Sequence, residues 1–165
     1  DNATAEINVS RMAQNAGYTT RTEREGSDYR IHISKPVAQA AVQPKPAPAT
    51  SSAGGPLVIL VPGEHFGRGD AELGNILVRS FFHTLTEATE RPETIVFLNG
   101  GVKLVVEGSE ILEDLRSLCD AGVEILACGT CLGFYNIKEK LAVGTVSNMY
   151  TIAETLMGAG RLVEL

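Results

Sequence analysis

The chain has 165 residues, 44% of them hydrophobic and 21% charged, which suits a folded protein and excludes disorder along the whole length. Its formal net charge of −6 argues against an electrostatic binder of nucleic acid or anionic membranes. No apolar run approaches the roughly 20 residues of a membrane span.

With aromatics at 5% and tryptophan absent, the core is expected to be aliphatic. The opening Asp1-Asn2-Ala3-Thr4 lacks the charged and apolar regions of a signal peptide and has no initiating Met, so the visible start reads as a processing boundary. Three cysteines, two of them spaced Cys128-Gly129-Thr130-Cys131, suit an intracellular thiol site better than a secreted disulfide scaffold. The expected location is the cytoplasm.

Residues 1–35 read as a helix and a hairpin. Ile7, Val9, Met12, Ala13 and Ala16 form a helical stripe, with Gly17 placed to stop it. Thr19–Glu23 and Tyr29–Ser34 flank the polar turn Glu25-Gly26-Ser27-Asp28. About 35 such residues seldom make a stable core alone, so the piece is expected to be part of a small α+β module. Residues 36–55 hold four prolines, six alanines and one charge, Lys45. Their composition predicts an extended linker.

Residues 56–165 alternate strands with helices, which predicts a parallel sheet with right-handed crossovers. Leu57–Val61, Thr94–Leu98 and Val123–Ala127 are apolar throughout or nearly so, as in strands covered on both faces. Asp70 is placed to cap a helix whose core stripe is predicted as Leu73, Ile76, Leu77, Phe81, Leu85 and Ala88. A short helix is expected through Val102–Val106. Ser109 is expected to cap another carrying Ile111, Leu112, Leu115, Leu118 and Cys119 on one face. A further helix over Leu132–Leu141, a short strand near Val143–Val146, a helix from Asn148 to Met157 and a strand at Arg161–Leu165 complete the pattern.

In an open parallel sheet, functional loops lie beyond the carboxyl ends of the strands. Residues 62–70, 99–101 and 128–131 occupy such positions. A cysteine at a strand-to-helix turn faces unpaired amides that favour its thiolate, the species that attacks a disulfide, accepts a sulfane sulfur or binds a metal. Two cysteines three positions apart can also close a disulfide. Cys119, on an apolar helix face, is expected to serve as a small hydrophobe. A structural zinc site needs four ligands, and His32, His65 and His83 are scattered with no second Cys-x-x-Cys. A thioredoxin arrangement would want a later proline, and none follows Pro92. The loop Gly63–Gly69 lacks the Gly-Lys-Ser/Thr of a P-loop and reads as turn geometry. His65 and Glu64 are acid–base candidates by position alone, and Lys103 reads as a surface lysine.

Several motifs in order carry a family resemblance. Gly67-Arg68-Gly69-Asp70, Asn99-Gly100-Gly101-Val102-Lys103-Leu104, Ala127-Cys128-Gly129-Thr130-Cys131-Leu132 and Asn148-Met149-Tyr150 resemble the YedF-type selenium-metabolism proteins. These join a TusA-like (SirA-like) domain to a C-terminal DsrE-like domain. Residues 1–35 resemble the second half of the TusA-like domain; the Cys-Pro-x-Pro element of that family is absent from the sequence.

The resemblance implies a DsrE-like α/β fold over residues 56–165, a flavodoxin-like three-layer sandwich with a mainly parallel sheet of about five strands. It also implies a sulfurtransferase-like carrier of sulfur or selenium with no cofactor, working between donor and acceptor proteins as a homo-oligomer. Cys128 matches the family's proposed acceptor cysteine, and Cys131 is the additional thiol of the subgroup. Cys128 is expected to be the stronger nucleophile, with Cys131 resolving or sharing its adduct. Gly129, Thr130, Asn99, Gly100 and His65 are the expected supporting residues. A thiol–disulfide oxidoreductase and a metal-binding or assembly module without catalysis are the competing readings.

Overall fold

The computed structural model describes residues 6, 9–10, 13–14, 18–26, 28–35 and 55–165. The chain divides into two units, residues 1–49 and 50–165. In the first, strands β1 (Thr19–Glu25) and β2 (Asp28–Ser34) form an antiparallel hairpin, paired from Thr19 with Ser34 to Glu25 with Asp28. Both are longer at the turn than the sequence predicts, because Gly26 adopts a φ of 66° that closes a tight connection. Glu6, Val9, Ser10, Ala13 and Gln14 are helical, and Thr22 Oγ1 donates to Glu6 Oε1 at 2.6 Å. The expected stripe positions Ile7, Met12 and Ala16, the stop at Gly17 and linker residues 36–54 lie outside the described residues.

The second unit is built on a five-stranded, all-parallel sheet in the order β6-β5-β4-β3-β7. The strands are β3 (Leu57–Val61), β4 (Thr94–Phe97), β5 (Glu124–Cys128), β6 (Thr145–Ser147) and β7 (Arg161–Glu164). The helices are α1 (Ala71–Glu87), α2 (Leu112–Asp120), α3 (Gly129–Phe134) and α4 (Met149–Met157). The expected α/β sandwich is therefore observed, but its strand order is not that of flavodoxin. From β3 to β6 the chain steps across the sheet in one direction, and only β7 returns, to the far side of β3. Right-handed crossovers place α1, α2 and α3 on one face and α4 on the other. Covering both faces is what makes Ile95, Val96 and Phe97 fully buried along β4.

Asp70 caps α1 as expected, its Oδ1 accepting from the Leu73 amide at 3.0 Å. The buried stripe differs from the predicted one. Gly74, Val78, Phe82 and Leu85 face the sheet, while Leu73, Ile76 and Leu77 are 53%, 46% and 41% exposed. The helix is apolar over more than one face, and the small Gly74 is what seats it: a Cβ there would lie 2.8 Å from His65 Cβ. The core is also less purely aliphatic than composition suggests. Phe66, Phe81, Phe82 and Phe97 form a chain of ring contacts with centroids 5.6, 5.5 and 6.0 Å apart.

Other boundaries move for local reasons. The segment after β4 is a 3₁₀ turn over Asn99–Val105 rather than a helix beginning at Val102. Helix α2 starts after Ile111 without a side-chain cap; Ser109 Oγ instead accepts from the Ile111 amide at 3.5 Å. The expected helix over Leu132–Leu141 is broken into α3 and a 3₁₀ turn at Lys138–Lys140, because Asn136 has a φ of 56° that ends the first helix.

These faces predict unequal costs along α1. Phe82→Ala should lower stability by about 3–5 kcal/mol, whereas Ile76→Ala should change it by under about 1 kcal/mol. Urea titration of both variants followed by circular dichroism provides the check; equal losses would restore the sequence-predicted stripe.

Candidate functional site

Three loops meet at the carboxyl edge of β3, β4 and β5. A Cβ at Gly100 would lie 3.8 Å from the Glu64 amide nitrogen and 3.9 Å from the Gly63 Cα, so the loop after β3 abuts the turn after β4. Gly101 approaches β3 more closely still; a Cβ there would sit 2.1 Å from the Val61 carbonyl oxygen. That carbonyl already accepts from the Leu98 amide at 3.0 Å. Glycine at 101 is thus a steric requirement of the turn.

Cys128 is the last residue of β5 and the N-cap position of α3. It is 1% exposed. Cys131, one position short of a full turn into α3, is partly exposed. Its Sγ accepts the Asn99 amide at 3.1 Å, which ties the loop after β5 to the turn after β4. Burial pushes the Cys131 thiol up, hydrogen bonding with the Cys128 side chain and charge there add to the rise, and the Asn99 amide opposes it. At neutral pH Cys131 therefore keeps its proton.

The supporting residues separate into those the fold brings to the thiols and those it does not. Asn99 and Gly100 are at the site. Gly129 is close-packed against the neighbouring strand: a Cβ would meet Val146 Cγ1 at 3.0 Å and the Ser147 carbonyl oxygen at 3.1 Å. That space is filled by protein rather than open to a bound atom. Thr130 is exposed on the first turn of α3. His65 packs against Gly74 at the start of α1, and no hydrogen bond links it to either cysteine among the described residues. Cys119 is half-buried against the core, in line with a packing role, and burial raises its thiol pKa, with Asp120 adding to the rise.

Sequence reading passed over Tyr135 and undervalued Lys103 and Glu64. The Tyr135 hydroxyl donates to Asn99 Oδ1 at 3.1 Å. Lys103 Nζ donates to Glu64 Oε1 at 2.9 Å and lies 4.9 Å from the centroid of the Tyr135 ring. The Glu64 hydrogen bond raises the Lys103 pKa, so the ammonium over the ring stays charged. The one available signal was spacing, since Tyr135 stands four positions after Cys131 on the same helical face. Among the described residues, no group of three or more His, Cys, Asp or Glu side chains converges as a metal site.

No protein-family model matches the sequence, and no curated protein does. Solved structures do. The BT1422 protein of Bacteroides thetaiotaomicron, described as a conserved protein of unknown function, aligns with a TM-score of 0.50 at 14% identity, covering 71% of this chain and 99% of its own. The YchN protein of E. coli aligns at 0.49 and 16% identity, over 67% of this chain and 99% of its own. MTH1491 of Methanobacterium thermoautotrophicum, of unknown function, aligns at 0.47 and 18% identity, over 66% and 97%. This chain shares the α/β fold of the BT1422 protein. The α/β sandwich with a five-stranded parallel sheet expected from the sequence is the architecture observed. No helix among the described residues is long and apolar enough to cross a membrane.

The environment of Cys131 predicts its reactivity. Its alkylation should have an apparent pKa above that of an unstructured cysteine, so that reaction at pH 7–8 is slow and rises into the alkaline range. Cys128→Ala removes two of the three raising influences and should bring that midpoint down. Iodoacetamide rates against pH, read at each cysteine by fragment-ion mass spectrometry, test both statements.

Proposed function

We propose that the second unit is a sulfurtransferase-like carrier that takes up sulfane sulfur or selenium on the Cys128–Cys131 pair, in the selenium-metabolism setting that the YedF-type motifs suggest. The carrying observation is the pairing itself: a partly exposed thiol, held by a backbone amide, with a buried thiol three positions before it whose side chain helps to raise its pKa. The DsrE-like fold fits sulfur-relay proteins in general. The same reading makes the protein cytoplasmic, a homo-oligomer, and a partner of donor and acceptor proteins that carry the chalcogen.

Exposure orders the two thiols in this proposal. A raised thiol pKa slows attack in proportion to the lost thiolate, about tenfold per unit at most, whereas Cys128, a residue only 1% exposed, has no face for an incoming protein persulfide. Cys131 therefore meets the donor. Its sulfur attacks the outer chalcogen of the donor persulfide or selenopersulfide, the donor's S–S or S–Se bond breaks, and the donor leaves as a thiolate that takes the Cys131 proton. Transfer of that chalcogen to Cys128 then regenerates the Cys131 thiol and shelters the adduct, with no net oxidation. Cys128 remains the residue that holds the cargo, as its match to the family's acceptor cysteine implies, while Cys131 receives it.

A disulfide oxidoreductase is the second reading, favoured by the same spacing of two free cysteines. Intact-mass measurement of the full chain after incubation with a small-molecule persulfide donor distinguishes them: a carrier gains one sulfur, an oxidoreductase loses two hydrogens. For the carrier, Cys131→Ser should abolish loading, and Cys128→Ser should load but lose the sulfur quickly to added thiol. Full loading of Cys131→Ser with none in Cys128→Ser would reverse the order proposed for the two cysteines.

A further inference from the structure

The turn after β4 is gripped twice, by Cys131 of α3 and by Tyr135 at its C-cap, and both grips fall on a single residue. Cys131 Sγ takes the backbone N–H of Asn99, and the Tyr135 hydroxyl donates to the side-chain oxygen of the same Asn99, each at 3.1 Å. Cys131 and Tyr135 are themselves joined along the helix, the Tyr135 amide donating to the Cys131 carbonyl at 3.1 Å. Asn99 sits at a φ of 45°, the left-handed region, which asparagine tolerates at some cost and glycine at none. Glycine would be the strain-free choice, and the next two residues, Gly100 and Gly101, are glycines. Asparagine adds to such a turn only its side chain, and here that side chain is bound by Tyr135.

We propose that Tyr135 is a positioning residue for Cys131, acting through Asn99: its hydroxyl locks the Asn99 turn in the orientation that delivers the backbone amide to the Cys131 sulfur. This rests on the reading of Cys131 as a working thiol. The amide strengthens its bond when the sulfur becomes anionic, as thiolate or persulfide, because hydrogen bonds to a charged acceptor are roughly twice as strong as neutral ones. Tyr135 is in turn held from the other side. Lys103 lies over its ring, and Glu64 anchors Lys103. The charged or titratable groups around Cys131 in this arrangement are thus Cys128 from β5, Tyr135 beyond α3, Lys103 from the 3₁₀ turn and Glu64 from the loop after β3.

The test is a double-mutant cycle on the full chain. Iodoacetamide alkylation of Cys131 against pH is measured for the wild type, Tyr135→Phe, Asn99→Gly and the double variant. Tyr135→Phe keeps the ring and its cation, and Asn99→Gly keeps the backbone N–H and suits the left-handed turn. Tyr135→Phe should raise the apparent Cys131 pKa by about half a unit, the net worth of one ordinary hydrogen bond. On the Asn99→Gly background the same change should have no further effect, since the hydroxyl then has no side chain to hold.

An unchanged profile in Tyr135→Phe, or an equal shift in both backgrounds, would overturn the proposal; the second result would mean that Tyr135 acts through general packing. The assay needs no chalcogen. A wild-type protein that shows the coupling yet never loads sulfur or selenium would sink the carrier reading and leave the positioning role standing.

Discussion

A side chain at position 101 would place its first carbon 2.1 Å from the Val61 carbonyl oxygen, and the arrangement of the carboxyl edge follows from that missing carbon. Without it the turn after β4 can fold down against the end of β3. There the Leu98 amide reaches the Val61 carbonyl, and the Gly101 amide donates back to the Leu98 carbonyl at 2.8 Å. The turn is then short enough for Asn99 to stand beside β5 and meet Cys131. The parallel register supplies the other half of the constraint. Phe97 pairs with Val61 on one side and Ala127 on the other, so the loops leave three adjacent strands at the same height.

Strand order gives this edge an unusual division of labour. In doubly wound sheets the usual crevice lies where the connections change direction. Here that change falls between β3 and β7, because only β7 returns across the sheet. The cysteines lie instead beyond β5, on the run of strands whose connections all share one face. The cleft that a switch point would open is therefore not what receives them. They are packed under a turn, with α3 above, and this explains why one thiol is buried and the other only partly exposed.

The surface of the second unit is apolar in places the core does not require. Leu73, Ile76 and Leu77 lie outward on α1, and Phe134, 79% exposed, projects from α3 close to Cys131. Periodicity alone places Leu73, Ile76 and Leu77 in the core stripe of α1, and the structure leaves them outside it. A helix with apolar residues on two faces has more than one way to sit on a sheet by periodicity alone. What selects between them is the close fit of Gly74 under His65 and of Phe82 against Phe97, and neither is a property of the helix by itself.

The sequence by itself determined the class of the fold and the place of the cysteine pair in it. Apolar strand runs such as Leu57–Val61 and Thr94–Phe97 can be satisfied only between two covering layers, and a cysteine pair directly after such a run must lie at the sheet's carboxyl edge. Capping at Asp70 was legible because its hydrogen bond spans only three residues, to Leu73. What only the tertiary structure decided depends on contacts between distant segments. Strand order, the orientation of α1, the burial of Cys128 and the bonds joining residues 64, 103, 135, 99 and 131 all belong here. Periodicity reports which side of an element is apolar but carries no information about which neighbour meets it. The Tyr135 hydroxyl finds Asn99 across 36 positions of chain, a separation that no local pattern can encode.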